Sequence, residues 1–480
     1  MQDENFAFAI MEKAFAQPDQ VAFDSAGGRV TYRRFADLVV HFARRMQEFG
    51  VNHSSRLSFV MNDSVIACVA ITATSLLGAQ WRRLEGDTPA AGVPSITHSF
   101  AGMGDSAGGA FEFTRSWFEA TTASATDLAG FPGHASADDT WLIATSSGTT
   151  GRQKHMPITY AAAWQRIVNV SDLEDRQPLV AHSLFDATSY VGARSRLTNL
   201  LVGGTNIANA RWSQAIEKGV TRVMGSPAQI AGVLVKQPVP ETRIRACRVT
   251  GAQVTAKFVE LALRHFEEVQ VLYGSTEAGI MTLARFTDRA PFDGSVGPLA
   301  RGAAVEIVDP SDLPVEPGRE GEIRVRTNGM VTQYLGEPEL SAKVFRGGWF
   351  HPGDLGYFDA AGILHLTGRT TDVINMGGVK FNAADLDELI QLHPDIADGF
   401  CFIDRTEDGH DRLAAIVSTQ TGAEVNQLRG LRAFAAKRLG KARILKRVYI
   451  AATVPRNENG KPQRREAIEL VRDLPRIEFD

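Results

Sequence analysis

The chain has 480 residues, 44% hydrophobic and 22% charged, which is the composition of a water-soluble globular protein long enough for two or three domains. A net charge of −4 gives no electrostatic footprint for a polyanion, so nucleic acid is not expected as a partner. The three cysteines (Cys68, Cys247, Cys401) are far apart and in no metal-ligand spacing, which points to a reducing, cytoplasmic setting and away from disulfides or zinc.

The first residues, MQDENFAFAIMEKAF, carry acids where a secretory leader needs basic residues. Residues 30–50 place apolar side chains at helical spacing and stop at Gly50. The most apolar run, Val65 to Ala79, is interrupted by Thr72, Thr74, Ser75 and Gly78; it predicts a buried helix, and no membrane association is expected. Residues 82–140 are rich in Gly, Ala, Ser and Thr, with short strand-like pieces. From 141 onward strand runs alternate with helical stretches, the pattern of a mixed α/β core, with WLIAT (141–145) as a strand and Thr159 as a helix cap. Residues 296–369 read as short alternating strands of a β-rich subdomain, and 370–480 as a compact unit of its own.

Four segments could carry chemistry. Thr145-Ser146-Ser147-Gly148-Thr149-Thr150-Gly151-Arg152-Gln153-Lys154 combines glycines, hydroxyls and a lysine, which suits a polyphosphate, although it lacks the Gly-Lys-Ser/Thr of the common P-loop. Tyr273-Gly274-Ser275-Thr276-Glu277 offers a ring for a purine face, a hydroxyl for a phosphate oxygen and a carboxylate for Mg²⁺. Asp354 in GWFHPGD and Arg369, after two strands, suit ribose hydroxyls. Asn459-Gly460-Lys461 places a lysine in a turn near the C-terminus. Each segment alone also reads as an ordinary loop, turn, surface ion pair or basic tail.

Their combination and order are more specific. From VTYRRFADLVVHFARRMQEFGV through TSSGTTGRQK, LLVGGT, VTRVMGSP, YGSTEAG and GEIRVR to GWFHPGDLGYFDAAGILHLTGRTTDVINMGGVKFNAADLDELI and VPRNENGKPQRR, the chain resembles the adenylate-forming superfamily. That superfamily includes acyl-CoA synthetases, the adenylation domains of nonribosomal peptide synthesis and firefly luciferase. The resemblance implies an α/β fold: a large N-terminal domain of mixed α/β sheets with a β-rich subdomain (1–369), and a small mobile C-terminal α+β domain (370–480).

By matching position, the resemblance implies that Thr145, Ser146, Ser147, Gly148, Thr149, Thr150 and Lys154 bind the ATP phosphates. It places Tyr273 on the adenine beside Gly251, Ala252 and Gln253, counts Gly274 and Ser275 among the ATP/AMP-binding residues, and puts Asp354 and Arg369 at the ribose. Thr276 and Glu277 would contact the α-phosphate and magnesium, and Lys461 would be the catalytic lysine. The acyl pocket would use Phe185, Tyr190, Ala278, Gly279 and Ile280, compatible with a small or aromatic acid. Asp186 either holds a substrate amine, as in amino-acid-activating domains, or caps the following helix, the reading we favour. Gly377, Gly378 and Lys380 would approach the thiol after a rotation about a hinge at Thr371, where the family carries Asp or Lys. Gln153 and His155 replace the usual proline and glycine around Lys154, and ARILKRVYI lacks the usual proline; neither change removes a reacting group.

The implied reaction is ATP-dependent activation of a small-molecule carboxylic acid to an acyl-adenylate, with Mg²⁺, then transfer to coenzyme A. Loading of an acyl carrier protein, or amide formation, is the alternative within the same chemistry. A non-catalytic ATP-binding protein is the alternative of another class, and retention of Lys461, Glu277, Asp354 and Arg369 weighs against it.

Overall fold

The computed structural model describes residues 4–83, 92–105, 110–147, 153–173, 179–376, 379–405, 411–419, 430–431, 445–456, 460 and 462–479. The helix Tyr32–Glu48 begins where Thr31 accepts a hydrogen bond from the Arg34 amide, and Gly50 follows it at a φ of 84°. Its buried Phe35, Leu38, Val39, Phe42 and Met46 form one apolar face, and Phe42 packs on Phe113 and Trp117 at ring separations of 5.0 and 5.1 Å. Each such buried side chain contributes roughly 1.5–3 kcal/mol. The apolar run from Val65 forms the buried helix Ser64–Leu76, its start capped by Asp63. Among the described residues no helix is long and apolar enough to cross a membrane.

Three sheets carry the larger part of the chain. A six-stranded sheet runs Phe111–Glu112, His98–Ala101, Arg56–Val60, Gln80–Arg83, Thr140–Ser147, Gln153–Thr159, parallel except for the last pair. An eight-stranded sheet runs Gly279–Phe286, Phe266–Ser275, Ile244–Val249, Arg222–Gly225, Val180–Ser183, Thr205–Ala208, Val21–Ser25, Gly28–Thr31, parallel except at its two edges. A third sheet is antiparallel and takes seven strands between Ser295 and Arg369, the β-rich segment expected there. The helix Tyr160–Leu173 is capped by Thr159, whose hydroxyl accepts from the Ala162 amide at 3.1 Å.

Beyond Arg369 the chain forms the hairpin Val373–Met376/Val379–Asn382, the helix Ala383–Gln391 and a four-stranded sheet (Ile396–Arg405, Asp411–Thr419, Arg447–Ile450, Arg476–Glu478). One face of that sheet packs Cys401, Leu413, Val417 and Val448 with Leu386 and Ile390; the other packs Phe400, Phe402, Ile416 and Tyr449 with Val471. At the junction Gly368 has a φ of 144°, and a Cβ there would stand 1.7 Å from Asn382 Nδ2. That amide donates to the Arg369 carbonyl at 3.4 Å, so the close approach depends on glycine.

Candidate active site

The hairpin Phe266–Ser275/Gly279–Phe286 turns through three residues, Thr276, Glu277 and Ala278, with Ser275 paired to Gly279. Gly279 sits at a φ of 81°, the left-handed residue that a three-residue hairpin turn requires. A Cβ on Gly274 would come 2.5 Å from the Gly279 carbonyl oxygen, so glycine is needed on both arms. Buried Arg166, on the helix Tyr160–Leu173, fixes this turn from below. Its Nη1 donates to the Thr276 carbonyl at 2.9 Å and its Nη2 to the Glu277 carbonyl at 2.7 Å. The same guanidinium donates to the Gly329 carbonyl at 2.8 Å and to the Tyr190 hydroxyl oxygen at 3.0 Å.

Asp354 and Arg369 are direct partners across an antiparallel strand pair, so their side chains stand together. Arg369 Nε donates to Asp354 Oδ1 at 2.7 Å, and the Tyr273 hydroxyl donates to Oδ2 at 2.7 Å. The residues expected at the adenine and at the ribose thus meet at one carboxylate. Burial, and then the Asp354 charge, push the Tyr273 phenol well above its ordinary value; the same carboxylate raises Arg369. Gly251, Ala252 and Gln253 follow the strand Ile244–Val249, in which Val249 is the parallel partner of Val271, so they lie beside Tyr273.

Glu277 is buried, and its Oε1 accepts from the Tyr334 hydroxyl at 2.8 Å. Lys154 lies over the Tyr334 ring, its Nζ 4.9 Å from the centroid. Burial lowers the lysine's pKa; Glu277 opposes that shift and Arg369 adds to it, so the three charges share one neighbourhood. The turn of the eight-stranded sheet, the returning strand of the six-stranded sheet and the end of the β-rich sheet converge here. Neither Arg166 nor Tyr334 was singled out by sequence reasoning. The only signal was an arginine on the apolar helix AAAWQRIV and a tyrosine in an unremarkable loop, NGMVTQYLGEP.

Several expectations need correction. The strand expected over 141–145 runs on through Ser147, so Thr145, Ser146 and Ser147 lie at its end and pair with His155, Lys154 and Gln153. Gly148, Thr149 and Thr150 lie outside the described residues. Asp186 is not the helix cap. The N-cap of Tyr190–Leu201 is Ser189, while Asp186 closes the preceding turn by accepting from the Thr188 amide and hydroxyl at 2.7 and 2.6 Å. Its other oxygen is 3.6 Å from Arg83 Nη2.

Of the acyl-pocket residues, Phe185 and Ile280 do come together, with Met224, Leu272, Leu283 and Val191. Ala278 packs in the apolar cluster that holds Tyr273 and Met281, its carbonyl held by the Thr327 hydroxyl at 2.7 Å, and Gly279 shapes the turn. Tyr190 lies between two arginines, 5.3 Å from Arg166 and 5.9 Å from Arg194. In the C-terminal region Thr371 falls in a short 3-10 turn, Thr370–Asp372, and Lys380 pairs with Asn375. Gly377, Gly378 and Lys461 lie outside the described residues; a Cβ on Gly460, just before Lys461, would come 2.8 Å from Ala228 Cβ.

No group of three or more His, Cys, Asp or Glu able to hold a metal occurs among the described residues. Magnesium needs only one or two carboxylates when phosphates supply the remaining oxygens. Glu277, fixed by Tyr334 through one oxygen, fits that donor set.

The family model described as AMP-binding enzyme matches residues 107–335. An oxalate–CoA ligase of Arabidopsis thaliana is 30% identical over 414 residues, 82% of this chain and 78% of that protein. A 2-succinylbenzoate–CoA ligase of Geobacillus sp. (strain WCH70) is 26% identical over 491 residues, 96% of this chain and 97% of the relative. In fold, the chain is similar to an amide bond synthetase from Marinactinospora thermotolerans, with a TM-score of 0.81 at 20% identity over 97% of this chain and 99% of that one. With that much identity along most of the Arabidopsis ligase, and with Lys154, Tyr273, Glu277, Asp354 and Arg369 of three of the segments meeting at one site, the chain belongs to the AMP-binding, adenylate-forming family of enzymes.

Proposed function

We propose that the protein activates a carboxylic acid with ATP, releasing pyrophosphate, and passes the acyl group to the thiol of coenzyme A. The observation that carries this reading is the convergence of Tyr273 and Arg369 on the Asp354 carboxylate, with Lys154 and Glu277 beside it. Asp354 offers acceptors for two ribose hydroxyls, and Tyr273 a ring for the base. The CoA ligases among the relatives support the thiol acceptor.

The main barrier is repulsion between an anionic acid and an anionic triphosphate. Attack of the carboxylate oxygen on the α-phosphorus forms the mixed anhydride and expels pyrophosphate in line. Lys154 and Arg369 lower that barrier by lying close to the developing charge in a partly dry site, where their field is stronger than in water. Arg166 keeps the Thr276–Glu277 turn from relaxing, so those groups need no reorganisation during the reaction. Magnesium, held by Glu277 and the phosphates, would supply further charge neutralisation. Lys461 supplies the remaining cation between the acid and the α-phosphate. In the second step the thiol sulfur bonds to the acyl carbon as the acyl–phosphate bond breaks and AMP leaves. The region from 370 onward turns about Thr371 to bring Gly377, Gly378 and Lys380 to the thiol.

The test is acid-dependent pyrophosphate release across a panel of acids, with and without coenzyme A. Release that yields a CoA thioester is expected. Release that never yields one moves the acceptor to a carrier protein or an amine, and no release with any acid overturns the catalytic reading.

A further inference from the structure

The loop between the strand Gly321–Thr327 and the helix Pro338–Val344 crosses the proposed site, and backbone hydrogen bonds tie it down on both sides of Tyr334. The Val331 amide donates to the Glu277 carbonyl at 2.9 Å. The Leu335 amide donates to the carbonyl of His155, next to Lys154, at 2.8 Å. Tyr334 therefore stands between an acid at the hairpin turn of the eight-stranded sheet and a lysine on a strand of the six-stranded sheet. Its own seat is fixed as well. The Tyr334 amide donates to the Ser341 hydroxyl oxygen at 2.8 Å. The ring packs 5.2 Å from Phe345, which stacks on Phe350 at 5.1 Å, and the residue is only 3% exposed.

The two ends of this side chain serve different groups. The hydroxyl donates to Glu277 Oε1 at 2.8 Å, which keeps that buried carboxylate from rotating and leaves Oε2 to meet a cation. The ring face receives Lys154, whose Nζ is 4.9 Å from the centroid. A ring attracts an ammonium through its quadrupole and does not neutralise it, so the lysine keeps its full charge for a phosphate. A carboxylate in the place of the ring would pair with the lysine and compete with that phosphate.

We propose that Tyr334 is a positioning residue with two separable duties: its hydroxyl sets the magnesium affinity of Glu277, and its ring presents Lys154 to the phosphates of ATP. The inference rests on the adenylation reading above and needs only the nucleotide-binding part of it. Removing a hydrogen bond that supports a metal ligand costs about 10–100-fold in metal affinity. Losing a partly desolvated contact between a cation and a ring costs about 3–30-fold. The two duties therefore give effects of measurable and distinct kinds.

The experiment is calorimetry of ATP binding to the full chain, once with Mg²⁺ and once with EDTA. Mg²⁺ is expected to tighten ATP binding to the wild type. Tyr334→Phe keeps the ring, so the Mg²⁺-dependent gain should fall about 10-fold while ATP affinity in EDTA stays within about 3-fold. Tyr334→Leu loses both ends, so ATP affinity in EDTA should fall as well, by about 10-fold. In a Lys154→Met background that added loss should vanish, which a merely structural defect would not do. An AMP-dependent rise in Tm shows that each variant is folded, and Tyr334→Met takes the place of leucine if leucine is not accommodated. An unchanged Mg²⁺-dependent gain in Tyr334→Phe overturns the first duty. Wild-type ATP affinity in EDTA for Tyr334→Leu, or a loss that persists without Lys154, overturns the second. If ATP binds but no acid releases pyrophosphate, the reaction proposed above falls and these titrations still decide Tyr334. A wild-type chain that binds no ATP overturns both.

Discussion

The residues proposed to hold the nucleotide and the region after Arg369 are stabilised in opposite ways. Tyr273 and Glu277 come from the edge hairpin of the eight-stranded sheet, Asp354 and Arg369 from the β-rich sheet; Tyr273 and Arg369 are tied to Asp354, and Glu277 to Tyr334, so their geometry exists only in the assembled larger part. The C-terminal region closes its polar contacts on itself: Asp404 with Arg447 and Tyr449, Asp398 with Arg456, Asp387 with Arg464. Across the junction, Lys257 donates to the Gln391 carbonyl at 2.9 Å and Asn382 to the Arg369 carbonyl at 3.4 Å. A unit with its own two apolar faces and self-contained ion pairs can shift as a body at small cost. Holding the nucleotide calls for rigidity between elements, and the proposed turning calls for rigidity within one.

The largest expected effect separates these two regions. Lys461→Ala should lower acid-dependent pyrophosphate release by about 1000-fold while AMP affinity, read by calorimetry, changes less than about 3-fold. Equal loss of both would place Lys461 with the nucleotide contacts and erase the contrast. Next, Asp354→Ala leaves Arg369 and Tyr273 without their shared acceptor and should weaken AMP binding by about 100-fold. AMP affinity within a few-fold of wild type would move the ribose contact elsewhere.

The smallest effect is a pH slope. Burial lowers the Lys154 pKa, and an anionic triphosphate favours the protonated form. ATP affinity should therefore be full below the lysine's lowered pKa and fall several-fold as pH rises through it, before the ordinary lysine range is reached. Lys154→Arg should flatten the profile, because a guanidinium stays charged over that range. A wild-type profile as flat as the variant's would remove Lys154 from the phosphate contacts.

Much of this molecule was readable in the residues because its chemistry is written locally. Tyr273 through Glu277 is one hairpin turn, and its two glycines are demanded by the turn itself. Asp354 and Arg369 flank a strand pair, so they are near in sequence as well as in space. Arg166 was not readable, because its contacts with Thr276 and Glu277 span 110 and 111 residues and reach backbone carbonyls, which leave no mark on residue type. Tyr334 escaped for a related reason. Its hydroxyl reaches Glu277 across 57 residues, and its ring meets Lys154 on a strand of the six-stranded sheet. Ser189 took the capping role expected of Asp186 because the chain makes one more turn before the helix begins.

The glycine at the junction has a consequence for how the chain tolerates change. At Gly368 the backbone angle disfavours every other residue, and the space for a methyl is already filled by the Asn382 amide. Saturation mutagenesis scored for activity should find a single-residue bottleneck there, with freer variation at exposed Gly130 and Gly232, where φ is not positive and a Cβ meets nothing within 4 Å. The junction has a point of no tolerance one residue from Arg369, proposed for the ribose, and damage to the seam and damage to the proposed nucleotide site will be difficult to separate genetically.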